Sequence, residues 1–474
     1  VNPDLELMPF QKEGVELLAK SRRAMLVWDP GVGKTPTAVR AAAKTSARRV
    51  LVFCPPIGVG VWRQHFEDWS EYRVKVMDTA NAVKPYAFAE GNGVRVVPYS
   101  RTHSGSAIIK ALFEAPWDVV IIDEAHYLKT SSAQRTRAVY GSKIDLVGSP
   151  LASAKHVWCL TGTPVLNHPA EFWTHLNALA PETIILPQLG NGPMPEGVFT
   201  DRFCVTQSTP YGVRIFGGRN TSELAHRIKP FAHRKRMEDV LLDMPALRIV
   251  EHPLPADTAV DPILRTQLTE ALNDLDLDDS VSDDALLGAV QAGGVAFSTV
   301  RRLIGKIKLP DVTDLVESEL ADSEGDKIIV FAHHREVVQG LAERLKRHNP
   351  VLIYGATPVG SRERLVATFQ NDKTCRVIVC QMDAASEVIT LHASHHVIIA
   401  EPSPVPARNR QAIARAHRKG QKYPVLARFV LLPGTLDARL MSIIARKTRD
   451  IARVVDGAPA TPELAYGEAF PGSE

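Results

Sequence analysis

Cysteine is scarce in this sequence: five residues in 474, at positions 54, 159, 204, 375 and 380. So few thiols exclude a disulfide framework and point to a reducing compartment. Cys375 and Cys380 stand an odd number of residues apart on an apolar run, which turns them to opposite faces of a strand and argues against chelation by that pair. The same alternation separates the rings of His333–His334 and of His395–His396, so no structural zinc is expected. Long hydrophobic runs are also missing, which excludes a transmembrane helix. No charged-then-apolar leader opens the chain, and secretion is not expected. Charge of one sign is lacking too. With 56 basic and 53 acidic side chains the formal balance is +3, which neither demands nor excludes nucleic acid, since a basic groove can hide in a near-neutral total.

What is present is alternation. Short β-rich apolar runs occupy residues 24–28, 50–53, 95–97, 119–122 and 157–160, and again 327–332, 351–354, 376–380, 397–400 and 425–432, with helix-compatible stretches between. Strand–helix alternation implies parallel sheets covered by helices, and its appearing twice implies two such lobes. A chain of this length also exceeds one ordinary core. The expected division is an N-terminal lobe over 1–248, with a protruding insertion near 181–240, and a C-terminal lobe over 249–455. The second carries a helical insertion near 256–308, acidic and mostly exposed at 274–284. Residues 456–474, rich in Gly and Pro, read as a loosely held tail.

Two motifs carry chemistry in the first lobe. Asp29-Pro30-Gly31-Val32-Gly33-Lys34-Thr35 follows one apolar run and precedes an Ala-rich helical stretch. That is the context of a phosphate-binding loop: backbone N–H groups of Gly31, Val32 and Gly33 close on the phosphates, Lys34 supplies a point charge, and Thr35 a hydroxyl for Mg²⁺. Asp123-Glu124-Ala125-His126 ends a second apolar run, which delivers Asp123 to the metal and Glu124 to the attacking water. Either motif alone is an ordinary turn or a solvated strand end often enough; their coincidence predicts hydrolysis of a nucleoside triphosphate, most simply ATP.

The second half adds Gln411-Ala412-Ile413-Ala414-Arg415-Ala416-His417-Arg418-Lys419-Gly420-Gln421. On a helix, Gln411, Arg415 and Arg418 share one face, from which two guanidiniums can meet a γ-phosphate; Gly420 is the expected helix stop. With Thr161-Gly162-Thr163-Pro164, these motifs stand in the order found in superfamily-two helicases, and the long last motif resembles Swi/Snf-type ATPases. The stretches 7–15, 123–129, 211–224, 233–241, 327–334 and 354–357, with Arg364 and 369–370, resemble the compact annealing-helicase and fork-remodelling branch.

That resemblance implies two RecA-like α/β lobes in tandem with an ATP cleft between them, ATP and Mg²⁺ as cofactors, and an ATPase that tracks along double-stranded DNA, forked or branched DNA included. It implies that Gln11 reads the adenine edge and that residues 55–62, Tyr99, Lys129, Thr357 and Arg364 lie in segments facing the DNA backbone. Phosphate contacts of this kind carry little sequence preference. A monomer in the cytoplasm, nucleoid-associated or in a host cell if viral, is the expected setting.

Three positions depart from the pattern: Trp28 before the phosphate loop, Val388 in place of a glycine in the coupling segment, and Pro404-Val405-Pro406 in place of Trp-Asn-Pro. Valine does not share glycine's access to positive φ, so weakened coupling of DNA to ATP is expected. An ATP-regulated DNA clamp and an RNA helicase remain as alternatives.

Overall fold

A run of five buried residues per strand is what a parallel sheet covered on both faces requires, and the first sheet has it. In a computed structural model the chain is described at residues 2, 5–56, 58–77, 93–103, 106–113, 116–162, 168–190, 192–209, 212–241, 243–255, 260–273, 275, 286, 290, 295–322, 325–385 and 389–445. Strands β1 (Arg23–Trp28), β2 (Arg49–Cys54), β4 (Gly93–Pro98) and β6 (His156–Thr161) each bury five of six residues; β3 (Arg73–Val76) and β5 (Val119–Asp123) join them. With β9 (Ala232–Lys235) they form one parallel sheet in the order β3-β4-β2-β5-β6-β1-β9. The loops after β1 and β5 therefore leave the same edge of the sheet, at its carboxyl ends, where open α/β folds bind ligands.

Between β6 and β9 the chain builds an antiparallel hairpin, β7 (Cys204–Thr209) with β8 (Gly212–Gly218), flanked by helices Glu196–Phe203 and Thr221–Ile228. The region near 181–240 is thus not all protrusion: β9 returns to the main sheet and pairs with β1. Its four residues are half-buried and three of them are basic, so no apolar run announced it.

The chain divides into two compact units, the first ending at Leu242 and the second beginning at Asp243. This places all of β10 (Leu247–Pro253) in the second unit, where an expected boundary at 248 would have cut it. There β11 (Ile328–Ala332), β12 (Val351–Ile353), β13 (Val377–Gln381), β14 (His396–Ile399) and β15 (Val425–Leu431) complete a parallel sheet, ordered β10-β15-β14-β11-β13-β12. Alternation sorts its side chains into two cores, Ile328, Val330, Val377 and Ile398 on one face and Ile329, Phe331, Ile378 and Ile399 on the other.

Two expectations are corrected here. Helix Val295–Ile307 is no exposed insertion: Val300, Leu303, Ile304 and Ile307, spaced for one helical face, enter the core. Cys375 and Cys380 do not face opposite ways; both lie in the same apolar cluster, because β13 begins only at Val377 and alternation does not reach back to Cys375. Burial pushes both thiols up. The acidic run 276–284, Val388, Thr163, Pro164 and the tail 456–474 lie outside the described residues. Among the described residues no helix is long and apolar enough to cross a membrane.

Candidate active site

Strand β1 ends in the phosphate loop. Gly31 and Gly33 both sit at φ +86°, and Gly33 caps the helix Lys34–Lys44. A Cβ on Gly33 would stand 2.2 Å from Gln11 Nε2, so the position needs glycine twice over, for conformation and for space. The helix aims its free N–H groups and positive dipole end at whatever the loop holds. Lys34 Nζ donates to the carbonyls of Trp28 (2.8 Å), at the end of β1, and Asp29 (3.1 Å), at the start of the loop. Burial lowers its pKa, against the opposing pull of Glu124, Asp123 and Asp29.

Gln11 is the loop's brace. Its Oε1 accepts Met8 N–H and its Nε2 donates to Val32 O, each at 2.9 Å. Trp28, the departure from pattern, buries its ring in the core, against Phe10 and in the space that Gly14 leaves open. Asp29 is held by Arg234 on β9 (2.6 Å) and by Met237 N–H (2.9 Å), and Arg234 also reaches Val27 O. The edge strand β9 thus clamps the loop. Arg234 sits in a basic run whose composition gave no sign of this role.

At the end of β5, Asp123 and Glu124 diverge because Glu124 takes the left-handed conformation (φ 46°, ψ 56°). For a non-glycine residue this costs of order 1 kcal/mol or more, a strain found at functional sites. Burial pushes the Asp123 carboxyl up to about 6, with the Glu124 charge adding to it. Trp62 Nε1 donates to Asp123 Oδ2 at 2.7 Å, Glu124 N–H donates to Oδ1 at 3.0 Å, and Tyr99 Oη donates to the Asp123 carbonyl at 2.6 Å. His126 Nδ1 lies 3.3 Å from Glu124 Oε2 and 3.4 Å from Thr161 Oγ1, linking β5 to β6. Two half-buried carboxylates near one lysine leave negative charge in excess. Asp123 with the Thr35 hydroxyl is a hard-oxygen donor set that fits Mg²⁺.

The side chains of Trp62 and Tyr99 are both buried and serve the carboxylate strand. Tyr99 further stacks on Tyr127, centroids 5.1 Å apart and planes at 7°. Lys129 is engaged by the buried Glu171 at 2.6 Å. In the second unit Thr357 Oγ1 accepts Tyr354 N–H within a turn, while Arg364 is exposed. Nearby Arg362, buried and overlooked in the sequence, ties Thr357 O to Ala384 O (3.2 Å each).

The arginine motif also needs correction. Its helix runs Pro406–Ile413 and stops there, so Arg415 and Arg418 lie in turns beyond it and share no helical face with Gln411. Arg415 Nε donates to Gln411 O at 3.2 Å. Arg418 donates to Thr390 Oγ1 at 2.8 Å, and its burial lowers its pKa. Pro406 occupies the first helical turn, which suits its fixed φ, and Asn409 closes the preceding loop on Ser403 through two hydrogen bonds.

With this geometry in place, residues 10–246, half of the chain, match the SNF2-related domain. The chain belongs to the SNF2-related family. Residues 308–420 match the helicase conserved C-terminal domain, so this SNF2-related chain combines two helicase-type domains. It is 27% identical over 465 residues to the DNA annealing helicase and endonuclease ZRANB3 of Bos taurus, covering 95% of the chain and 41% of that protein. It is 26% identical over 459 residues to the SWI/SNF-related matrix-associated actin-dependent regulator of chromatin subfamily A-like protein 1 of Xenopus tropicalis, covering 94% and 44%. The chain therefore spans less than half the length of these relatives. The Sulfolobus solfataricus SWI2/SNF2 ATPase core in complex with dsDNA is similar at a TM-score of 0.43 and 19% identity, over 96% of this chain and 94% of that one.

Proposed function

We propose that this chain is an ATP-dependent translocase on double-stranded DNA, one that remodels DNA or DNA–protein structures. The observation that carries the proposal is the convergence at one sheet edge of a glycine-shaped phosphate loop and a carboxylate pair set by a strained backbone, in a chain of the SNF2-related family. DNA as the polymer is supported by the relatives, one of which is named a DNA annealing helicase.

In this reading Gln11 and the loop Gly31, Val32, Gly33 bind the nucleotide, and Lys34 holds the β- and γ-phosphates. Thr35 and Asp123 would hold Mg²⁺, which when bound would neutralise phosphate charge. Glu124 orients water for in-line attack and takes up its proton. Gln411, Arg415 and Arg418 respond to the terminal phosphate, which requires Arg418 to exchange Thr390 for it. Hydrolysis then resets the second unit, and repeated cycles advance the protein along the phosphate backbone. Lys129, Thr357 and Arg364 are proposed backbone contacts; for Lys129 this means leaving Glu171.

The test is ATPase rate against duplex, forked and single-stranded DNA and RNA, paired with triplex displacement. Duplex or forked DNA should stimulate most, with ATP-dependent displacement. Greater stimulation by RNA would replace DNA as the substrate. Tight ATP-dependent DNA binding without displacement would identify a clamp instead, an outcome that Val388 makes worth testing.

A further inference from the structure

Strict alternation would keep the rings of His395 and His396 apart, but His395 precedes β14 and escapes the pleat. The two ring centroids stand 4.3 Å apart. Asp326 lies just before β11, the neighbouring strand, in which Ile328 pairs with His396. One carboxylate oxygen and one nitrogen from each ring all lie within 4.8 Å of one another. We propose that Asp326, His395 and His396 form a binding site for one divalent transition-metal ion of the zinc class, at the amino-terminal edge of the second sheet.

The distances favour shared ligation over a simple ion pair. His396 Nε2 is 3.8 Å from Asp326 Oδ2, too long for a hydrogen bond. Two donors each about 2.0–2.1 Å from a tetrahedral ion stand ~3.3 Å apart, so a small closure accommodates the metal. The other nitrogen of His396, Nδ1, is 2.8 Å from Glu319 Oε2, close but not aligned as a hydrogen bond; a slight turn of the ring serves both contacts. A carboxylate behind a ligating histidine fixes its tautomer and raises its basicity.

The supports are themselves fixed. Arg428 on β15 grips both oxygens of Glu319, at 2.9 and 2.7 Å. Arg376 Nε donates to the Asp326 carbonyl at 3.1 Å and its Nη2 to Leu320 O at 3.0 Å, which pins the turn that presents Asp326. His395 packs its ring on Tyr423, centroids 5.3 Å apart. Two imidazoles with one carboxylate select zinc, cobalt or nickel over the hard Mg²⁺. All these groups belong to the second unit, so the site is separate from the phosphate loop. A bound ion would staple the turn after helix Leu309–Asp322 to the start of β14.

The full chain, stripped with a chelator, is titrated with Co²⁺ while visible absorption is followed, then with Zn²⁺ in competition. One ion per chain with a low-coordinate cobalt spectrum is expected, together with a zinc-dependent rise in unfolding temperature. His395→Gln and Asp326→Asn should each weaken binding at least tenfold with unchanged circular dichroism, and Glu319→Gln about tenfold. Absence of a saturable ion overturns the proposal. So does equal affinity in the variants, which would place the ion elsewhere, at Asp123 and Glu124 or at the thiols.

Discussion

The Trp62 indole, fully buried, donates its N–H to Asp123 Oδ2 at 2.7 Å. The bond reaches from the helix Gly58–Trp69 to the tip of β5 and sets the plane of the carboxylate proposed to hold Mg²⁺. A hydrogen bond to a charged group contributes about 1.5–3 kcal/mol. Trp62→Phe keeps most of the packing and removes the donor. Asp123, already raised by burial, should become harder to ionise. ATPase kcat should fall about tenfold to a hundredfold by that energy, and half-saturating Mg²⁺ should rise. Magnesium titrations at fixed ATP check this; an unchanged half-saturation would leave Trp62 as core packing only.

Glu124 is aimed by its left-handed backbone (φ 46°) and lies beside His126, 3.3 Å from its carboxylate. Glu124→Gln preserves shape and left-handed conformation but removes the base. Nucleotide binding should persist while turnover falls at least a hundredfold, in keeping with the loss of a positioned base. Lys34→Ala should instead weaken nucleotide binding as well, since the phosphates lose their main cation. Fluorescent-nucleotide binding and steady-state ATPase on the same samples separate the two. Near-normal turnover in Glu124→Gln would remove it from its role.

The sheets and the phosphate site were legible because their signals are local. Apolar runs fell on strands β1, β2, β4, β5 and β6, and again on β11 to β15, and the loop glycines marked positions where φ is positive. The misses share one cause, contacts set by tertiary structure. The basic residues of β9 form a strand only because β1 offers them an edge, and Arg234 gains its role from that pairing. A tryptophan on an amphipathic helix reads as core, and nothing in spacing ties Trp62 to a carboxylate sixty-one residues away. The arginine motif failed differently. Its spacing fits a helix, yet Arg415 O accepts Leu391 N–H at 2.8 Å, and that long-range bond holds the chain in turns.

Arg418 spends its charge on neutral groups, the Thr390 hydroxyl and, at 3.4 Å, the Ile389 carbonyl. Its partial burial against these neutral groups raises the cost of keeping it there, which suits a residue that moves to an anion. Arg418→Ala should retain nucleotide and lose turnover by ~10³ or more, as expected for an arginine finger. Thr390→Val should leave the finger in place, free one competitor for it and change turnover by less than about threefold, because a single neutral hydrogen bond is worth only about 1 kcal/mol. A loss in Thr390→Val as large as in Arg418→Ala would show that the pair acts in folding, not in exchange.

His175 makes the first unit sensitive to acid. The ring is fully buried, with Nδ1 2.9 Å from Tyr140 Oη, and burial first, then the nearby His126, lowers its pKa to about 3. In the unfolded chain the same group titrates near 6.5. Between these values the unfolded state binds a proton that the folded state refuses, so stability is present above 6.5 and falls as pH drops, approaching about 1.4 kcal/mol per pH unit. Between pH 7.5 and pH 5 this residue alone removes about 2 kcal/mol by the same linkage. His175→Asn keeps a polar contact for Tyr140 and cannot charge. Denaturant midpoints at the two pH values should therefore converge for the variant by about that amount, whatever other histidines contribute to both proteins. An equal pH dependence in the two would mean that protonated His175 is accommodated in the fold.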